Sequence, residues 1–284
     1  MRLVPILPAA LLLSACTTMQ IGERNFIRPD KQVSAADARL DVRALLPAAR
    51  VSDEEIATPD GAVLRGIIAQ PPGAAVTVLY FGGNAFHLDR HGAGLLPLLA
   101  SCGAGIAVFD YRGYGRSSGA PTVATMAADA VRAFDHVSAR HPGRVIVHGQ
   151  SLGSFMAAHV VRQRPQAAGL VLEATSSNVQ DWAQANVPWY ARPFLQIEID
   201  ESLRAADNVA AVAGYRGAAL VLAGERDRIT PPALGQKVFA ALPGTAKQWF
   251  VADGAGHNAI FGHKDVMPVY CGFVSSPSRG AVKP

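Results

Sequence analysis

Three residues that together could catalyse acyl transfer follow three separate apolar segments of the chain. Ser151 is the serine of a Gly-x-Ser-x-Gly pattern at 149–153, Asp227 follows the apolar run 220–223, and His257 follows the run 250–252. A serine hydroxyl is a poor nucleophile, so it needs a general base, and that base needs a carboxylate to orient it. The chain order of serine, aspartate and histidine therefore predicts a nucleophile, an orienting acid and a base.

The residues around Ser151 predict how it is positioned. The run 145–148 is apolar and β-branched, which favours a buried strand, and 152–164 has helical character. A serine in the sharp turn between a strand and a helix adopts a strained backbone, and flanking glycines remove the Cβ atoms that would clash. The helix N-terminus also favours developing negative charge. This arrangement indicates a nucleophile rather than an ordinary turn.

Other titratable residues offer alternatives for some of these roles. Glu173 ends the apolar run 169–172 and is an alternative to Asp227 as the acid, whereas Asp253 is too close to His257 to orient its ring. His148 lies within the strand before Ser151, which predicts a packed side chain. The remaining histidines lack the spacing of metal ligands, so neither a metal site nor a cofactor is predicted.

Short apolar runs that alternate with helical patterns predict the fold class. The predicted strands are 54–57, 62–69, 76–81, 105–110, 144–148, 169–173, 218–223 and 248–251, and the predicted helices are 88–101, 122–139, 152–164, 231–241 and 266–274. Strands that are apolar throughout indicate a mostly parallel sheet with helices on both faces, an α/β architecture. Such sheets carry their sites at the carboxyl ends of the strands, where all three residues fall.

Four motifs together resemble the α/β-hydrolase superfamily over nearly all of residues 50–275. They are Tyr-Phe-Gly-Gly-Asn-Ala at 80–85, Asp-Tyr-Arg-Gly-Tyr-Gly-Arg-Ser-Ser-Gly at 110–119, the pattern at 149–153 and Gly-Ala-Gly-His-Asn at 254–258. The likeness is greatest to small serine hydrolases that include protein depalmitoylases and lysophospholipid hydrolases. It implies an α/β-hydrolase fold with a short helical cap, and an oxyanion hole formed by the backbone amides of Asn84 and Leu152. Gly82 departs from the family, which usually carries histidine there.

The N-terminus predicts export and a lipid anchor. Residues 3–13 are apolar after Met1-Arg2, too short a run for a permanent span, and Leu-Ser-Ala-Cys at 13–16 resembles the lipobox of bacterial lipoproteins. The resemblance implies a signal peptide at 1–15, lipid attachment at Cys16 and, from Thr17, sorting to the outer membrane on its periplasmic side. The alternative is an ordinary secretory signal with an incidental cysteine. We expect a tether and loosely packed lead-in at 16–47 and the hydrolase domain at 48–284.

Composition excludes some partners and leaves two cysteines to explain. The chain has 284 residues, 50% of them hydrophobic, with a net charge of +4 from scattered basic residues. Without a basic run, no nucleic-acid partner is predicted. Cys102 and Cys271 have no informative spacing, and we expect small buried hydrophobic residues rather than a bridge or metal ligands.

The predicted function is hydrolysis of carboxylic esters or thioesters through an acyl-enzyme on Ser151, with small to medium acyl substrates. A serine peptidase or amidase of the same fold is one alternative, and a non-catalytic protein of the cell envelope is another. The segment 175–201 is expected to form the cap. Its aromatic residues are either an ordinary packed cap or the lining of an acyl groove: Trp182, Trp189, Tyr190 and Phe194.

Overall fold

A twisted sheet of eight strands forms the centre of the computed structural model, which describes residues 17–29 and 39–276. The strands are β1 (Thr17–Ile21), β2 (Arg50–Ala57), β3 (Val63–Gln70), β4 (Thr77–Phe81), β5 (Gly105–Phe109), β6 (Val145–Gln150), β7 (Gly169–Glu173), β8 (Leu195–Ile199), β9 (Ala219–Gly224) and β10 (Lys247–Ala252). The order in the large sheet is β10-β9-β7-β6-β4-β5-β3-β2. Only the pairs β2–β3 and β3–β5 are antiparallel, so the prediction of a mostly parallel sheet is confirmed.

Helices cover both faces of this sheet, so its central strands are buried on both sides. The helices are α1 (Glu23–Phe26), α2 (Val42–Leu45), α3 (Leu88–Ala100), α4 (Val123–Arg140), α5 (Leu152–Gln163), α6 (Val179–Asn186), α7 (Glu201–Arg204), α8 (Asn208–Val212), α9 (Pro232–Ala241) and α10 (Val266–Val274). Neighbouring residues of β6 face opposite layers, since Ile146 packs with α3 and α10 while Val147 packs with α4 and α5. This period of two is what an extended strand imposes.

A disulfide joins the two cysteines of the described residues. Cys102 lies just after α3 and Cys271 lies in α10, two elements on the same face of the sheet, and their sulfur atoms are bonded. The prediction that both are unbridged buried residues is therefore wrong. The two positions are 169 residues apart, so only the packing of α3 beside α10 could reveal the pair.

The segment at 17–29 is ordered secondary structure rather than a tether. β1 pairs in parallel with β8, Thr17 opposite Leu195 through Ile21 opposite Ile199. Phe26 and Ile27 are buried in the main core. The prediction of a loosely packed lead-in is wrong for these residues, because their apolar side chains pack on the cap.

The remaining N-terminal predictions fall on residues that the structure does not describe. The signal peptide and Cys16 lie outside the described residues. Within 17–29 and 39–276, no helix combines the length and apolarity needed to cross a bilayer.

Candidate active site

Ser151 lies at the apex of the turn between β6 and α5, in a conformation that few side chains adopt. Its φ is 52° and its ψ is −115°, a region that costs about 1–3 kcal/mol for a residue with a side chain. The flanking glycines are required by close packing. A Cβ at Gly149 would overlap the carbonyl oxygen of Gly153, and one at Gly153 would overlap that of Phe81. The Gly-x-Ser-x-Gly pattern therefore exists because the backbone turns too tightly for other residues.

The three residues singled out in the sequence form one hydrogen-bonded chain. His257 Nε2 lies 2.9 Å from Ser151 Oγ, and His257 Nδ1 lies 2.8 Å from Asp227 Oδ2. An ionised carboxylate can only accept, so Nδ1 carries the ring proton and Nε2 is left to accept the serine proton. The arrangement has the polarity that a general base needs.

Asp227 is held in place by the first residues of the loop that follows it. Its Oδ1 accepts hydrogen bonds from the amides of Ile229 and Thr230, both at 2.9 Å. Burial alone would raise the pKa of Asp227, but the hydrogen bonds from His257 and Thr230 and the charge of His257 outweigh it, so the pKa is lowered. The carboxylate therefore stays ionised near neutral pH.

Thr230 is a residue that sequence reasoning missed. Its Oγ1 lies 2.8 Å from Asp227 Oδ2 and 2.9 Å from the carbonyl oxygen of Ala174, so its single proton can serve either acceptor. The oxygen also lies 3.1 Å from His257 Nδ1. The signal that could have identified Thr230 is its position three residues after the candidate acid, because a short polar side chain there can hydrogen-bond to the carboxylate.

Glu173, the alternative acid, has a different partner. Its Oε2 lies 3.3 Å from His148 Nε2, while His148 Nδ1 lies 3.1 Å from the hydroxyl of Tyr270. His148 is fully buried, as expected of a packed side chain. The backbone carbonyl of Glu173 accepts from the amide of Ser151 at 2.9 Å, so its contribution to the site is through the main chain.

Asn84 and Leu152 both line the cavity that opens at Ser151. Neither backbone amide donates a hydrogen bond to another of the described residues, so both can donate to an incoming oxygen. The side chain of Asn84 is occupied elsewhere, donating to the carbonyl of Phe26 at 2.7 Å and accepting from the amide of Arg28 at 2.8 Å. The loop carrying the Asn84 amide is therefore braced by the N-terminal segment.

The departure from the family at Gly82 has a packing explanation. A Cβ at this position would overlap the ring of Phe86, which is buried against Tyr80. The Gly82 carbonyl accepts a hydrogen bond of 2.8 Å from the hydroxyl of Tyr111. Glycine at 82 and phenylalanine at 86 thus fit as a pair.

Asp110 and Arg112 hold the loop at 110–119 by hydrogen bonds and ion pairs. Asp110 accepts hydrogen bonds from the amides of Leu88 and Arg116, at 2.7 and 2.8 Å. Its burial raises the pKa to about 6, although those two amides oppose the shift. Arg112 holds Asp129 and Asp60, with its closest contact to each at 2.6 Å.

The cavity beside Ser151 has a volume of about 330 Å³ and mostly apolar walls. Phe26, Phe155, Trp182 and Ile229 are among its lining residues. The ring centroid of Phe26 lies 5.4 Å from that of Phe155 and 5.7 Å from that of Trp182, each pair packing edge to face. Phe26 belongs to the segment expected to be a tether, so its position in a wall of this cavity was not predicted.

Of the four cap aromatics, the structure places one in the cavity. Trp182 lines it from α6, whereas Trp189, Tyr190 and Phe194 are exposed and are not among its lining residues. These three side chains meet neither alternative, since they are not packed within the cap and do not line the cavity. All three lie in the connection between α6, which ends at Asn186, and β8, which begins at Leu195.

No cluster of three or more histidine, cysteine, aspartate or glutamate side chains suited to a metal ion occurs within 17–29 and 39–276.

Comparisons with known proteins agree with this geometry. Residues 72–206 match the family model described as serine aminopeptidase, S33. The chain is 32% identical over 220 residues to the uncharacterized protein Rv2307c of Mycobacterium tuberculosis, covering 76% of this chain and 74% of that protein. It is 31% identical over 177 residues to the lysophosphatidylserine lipase ABHD12 of Gallus gallus, covering 57% of this chain and 46% of that one.

Solved structures share the fold at lower identity. The esterase Pf2001 of Pyrococcus furiosus superposes with a TM-score of 0.70 at 17% identity, covering 88% of this chain and 97% of that one. The mouse α/β hydrolase domain-containing protein 10 gives a TM-score of 0.63 at 18% identity, covering 81% and 100%. From its sheet, its turn at Ser151 and these relatives, the chain belongs to the α/β-hydrolase superfamily and is a hydrolase of that fold.

Proposed function

We propose that the protein is a serine hydrolase that cleaves carboxylic esters or thioesters through an acyl-enzyme on Ser151. The observation that carries this proposal is the hydrogen-bonded chain from Ser151 through His257 to Asp227, opening into an apolar cavity. Apolar cavities with a few polar groups suit acyl chains. A volume of about 330 Å³ is at the lower end of the range of about 300–1,000 Å³ typical of ligand pockets, which favours short to medium acyl groups.

The reaction follows from the positions of the side chains. Ser151 Oγ attacks the acyl carbon while His257 Nε2 accepts the serine proton, and the carbonyl oxygen becomes an oxyanion. The amides of Asn84 and Leu152 stabilise that charge, each contributing about 3–4 kcal/mol in comparable sites. Collapse of the intermediate expels the alcohol or thiol, which takes the proton from His257. Water then attacks the acyl-enzyme by the same steps and releases the acid.

A peptidase or amidase is the second candidate, since the matching family model is described as serine aminopeptidase. An aminopeptidase has to bind a protonated amine, which calls for an acidic group near the scissile bond. Among the described residues that line the cavity, none is aspartate or glutamate, and Arg28 is present. A cation there opposes binding of an ammonium group, so this site favours the ester or thioester reaction.

The experiment is labelling by a fluorophosphonate probe, followed by assays on acyl esters, acyl thioesters and aminoacyl amides. We expect labelling of the wild type and none of Ser151→Ala, with turnover fastest on esters or thioesters of short to medium chain. Faster cleavage of aminoacyl amides would favour the peptidase reaction. Absence of labelling in a folded wild type would favour a non-catalytic envelope protein.

A sharp optimum among p-nitrophenyl esters of long acyl chain would contradict the substrate size inferred from the cavity. Because the cap is short, we also expect that turnover of dissolved esters does not need a lipid surface to open it.

We further propose that the protein is exported and anchored by a lipid on Cys16, at the outer membrane facing the periplasm. The lipobox resemblance at 13–16 supports this location, as does the Cys102–Cys271 disulfide, because disulfides persist in oxidising compartments. Cys16→Ser should move the protein from the membrane fraction to the soluble fraction. A mature N-terminus other than residue 16, or one without an acyl mass, would refute the anchor.

A further inference from the structure

The cap carries an exposed aromatic patch, which we define as Trp189, Tyr190 and Phe194. Their side chains are 79%, 64% and 56% exposed. Among the described residues, the only other exposed large hydrophobic residue is Ile229, at 45%. Ile229 lines the cavity beside Ser151. The exposed apolar surface is thus concentrated on the cap and at the cavity. Clustered exposed apolar side chains commonly mark an interaction surface.

The patch belongs to a turn structure held by its own backbone. The amide of Ala191 donates to the carbonyl of Pro188 at 2.9 Å, and the amide of Phe194 donates to the carbonyl of Ala191 at 3.0 Å. The rings of Trp189 and Tyr190 pack edge to face, with centroids 6.0 Å apart. These contacts hold the turn that carries the exposed rings. Tryptophan and tyrosine have an apolar body and a polar tip, which is the chemistry of the membrane–water interface.

The start of the described chain lies beside this patch. In the β1–β8 pairing, Thr17 is opposite Leu195, the residue that follows Phe194. Paired strands lie about 4.8 Å apart, and Cys16 is bonded directly to Thr17. A lipid on Cys16 would therefore be attached next to the patch, with no intervening linker to separate the protein from the bilayer.

The patch is also connected to the catalytic cavity through α6. Trp182 of that helix lines the cavity, and the helix ends at Asn186, three residues before Trp189. Asn186 Nδ2 donates to the carbonyl oxygen of Ile229 at 3.0 Å, so the end of α6 is fastened to the cavity rim. An exposed cation, Arg192, lies within the patch turn and can contact anionic headgroups.

We propose that Trp189, Tyr190 and Phe194 insert into the surface of the bilayer that holds the N-terminal anchor, and that the enzyme takes from that bilayer acyl esters or thioesters of short to medium chain that partition into it. This inference rests on the proposed function for its substrate class and on the proposed anchor for its membrane. Docking by the patch sets the orientation of the domain and brings the cavity rim at Ile229 close to the lipid. The patch acts in delivery of substrate and takes no part in the chemistry at Ser151.

The direct test is quenching of tryptophan fluorescence in the full chain. The anchored protein is incorporated into vesicles of phosphatidylethanolamine with a minor share of phosphatidylglycerol, with and without brominated acyl chains. We expect quenching in the wild type and loss of most of it in Trp189→Phe. Trp249→Phe is the matched control, because Trp249 is a half-buried residue of β10 that packs on Phe239 of α9. This variant should keep the quenching. Unchanged quenching in Trp189→Phe would overturn the proposal.

A kinetic test separates docking from catalysis. The triple variant Trp189→Ser, Tyr190→Ser, Phe194→Ser should hydrolyse a dissolved short-chain ester within about twofold of the wild-type rate. Its rate on an acyl ester of medium chain that is partitioned into the vesicles should fall at least tenfold. An equal loss on both substrates, or no loss on either, would overturn the proposal.

Two further outcomes are distinguishable from these. A wild type that hydrolyses neither substrate refutes the proposed function, while the quenching experiment still decides docking. Absence of quenching together with a dimer that the triple variant abolishes would assign the patch to a second copy of the chain, and would overturn membrane docking.

Discussion

Replacing Asp227 by asparagine tests which ring nitrogen of His257 carries the proton. The asparagine keeps an oxygen for the amides of Ile229 and Thr230, which now bond Asp227 Oδ1 at 2.9 Å. Its amide nitrogen then occupies the position 2.8 Å from His257 Nδ1. Because that nitrogen can only donate, His257 has to accept at Nδ1 and carry its proton on Nε2. A protonated Nε2 faces Ser151 Oγ and cannot act as the base.

The size of the effect follows from this change of tautomer. The same substitution in a serine protease lowers kcat by about 10⁴-fold, which corresponds to about 5 kcal/mol at roughly 1.4 kcal/mol per factor of ten. We expect a loss of this order in kcat on a short p-nitrophenyl ester, and a comparable slowing of fluorophosphonate labelling. The fold should survive, because the volume of the side chain is nearly unchanged.

The matched control is Glu173→Gln, which alters the alternative acid. The Glu173 side chain contacts His148, and only its backbone carbonyl contacts Ser151, so kcat should stay within a few-fold of wild type. Near-normal activity in Asp227→Asn together with loss of activity in Glu173→Gln would refute the assignment of the acid. Thermal unfolding of both variants shows whether either loss reflects misfolding.

Three further predictions concern stability and the cavity. The double variant Cys102→Ala, Cys271→Ala opens a loop of 169 residues, and the added chain entropy of the unfolded state should lower the free energy of unfolding by up to about 5 kcal/mol. An unchanged midpoint of urea unfolding would contradict this. Phe26→Ala removes a buried side chain that lines the cavity and should lower the free energy of unfolding by about 3–5 kcal/mol. It should also raise kcat/KM for longer esters relative to short ones. An unchanged chain-length profile would argue against Phe26 as a wall of the cavity. The lowered pKa of Asp227 means that its ionised form stabilises the fold above its ordinary pKa of about 3.9, and that this contribution is lost as pH falls through the lowered value. Thermal unfolding should therefore show a gap between wild type and Asp227→Asn at pH 5–7 that shrinks below about pH 4, whereas a gap independent of pH would oppose this assignment.

The sequence by itself determined the parts of the site that depend on short-range geometry. Gly149 and Gly153 flank Ser151 because the turn brings their α-carbons against backbone oxygens, so the pattern is visible in five residues. The alternation of apolar runs with helical patterns indicated a parallel sheet. Parallel strands end on one edge, which is why residues as far apart as Ser151 and His257 could be predicted to meet.

Two contacts were decided by the tertiary structure. His257 contacts Asp227, the acid predicted from the sequence, and not Glu173, the alternative that also ends an apolar strand. Cys102 and Cys271 are bonded because α3 and α10 share a face of the sheet. No local pattern encodes either contact, since each depends on which helices and loops lie side by side after packing.

The segment at 17–29 shows the same limit most clearly. Its composition is that of a linker, and its strand is too short to be read from periodicity. β1 is ordered by pairing with β8, about 180 positions away along the chain, and Phe26 is buried by side chains from α5 and α6. Burial of apolar surface and completion of backbone hydrogen bonds supply the stability that the segment lacks alone. These terms exist only once the cap has formed, so the sequence determined the chemistry of the site while the tertiary structure decided the walls around it.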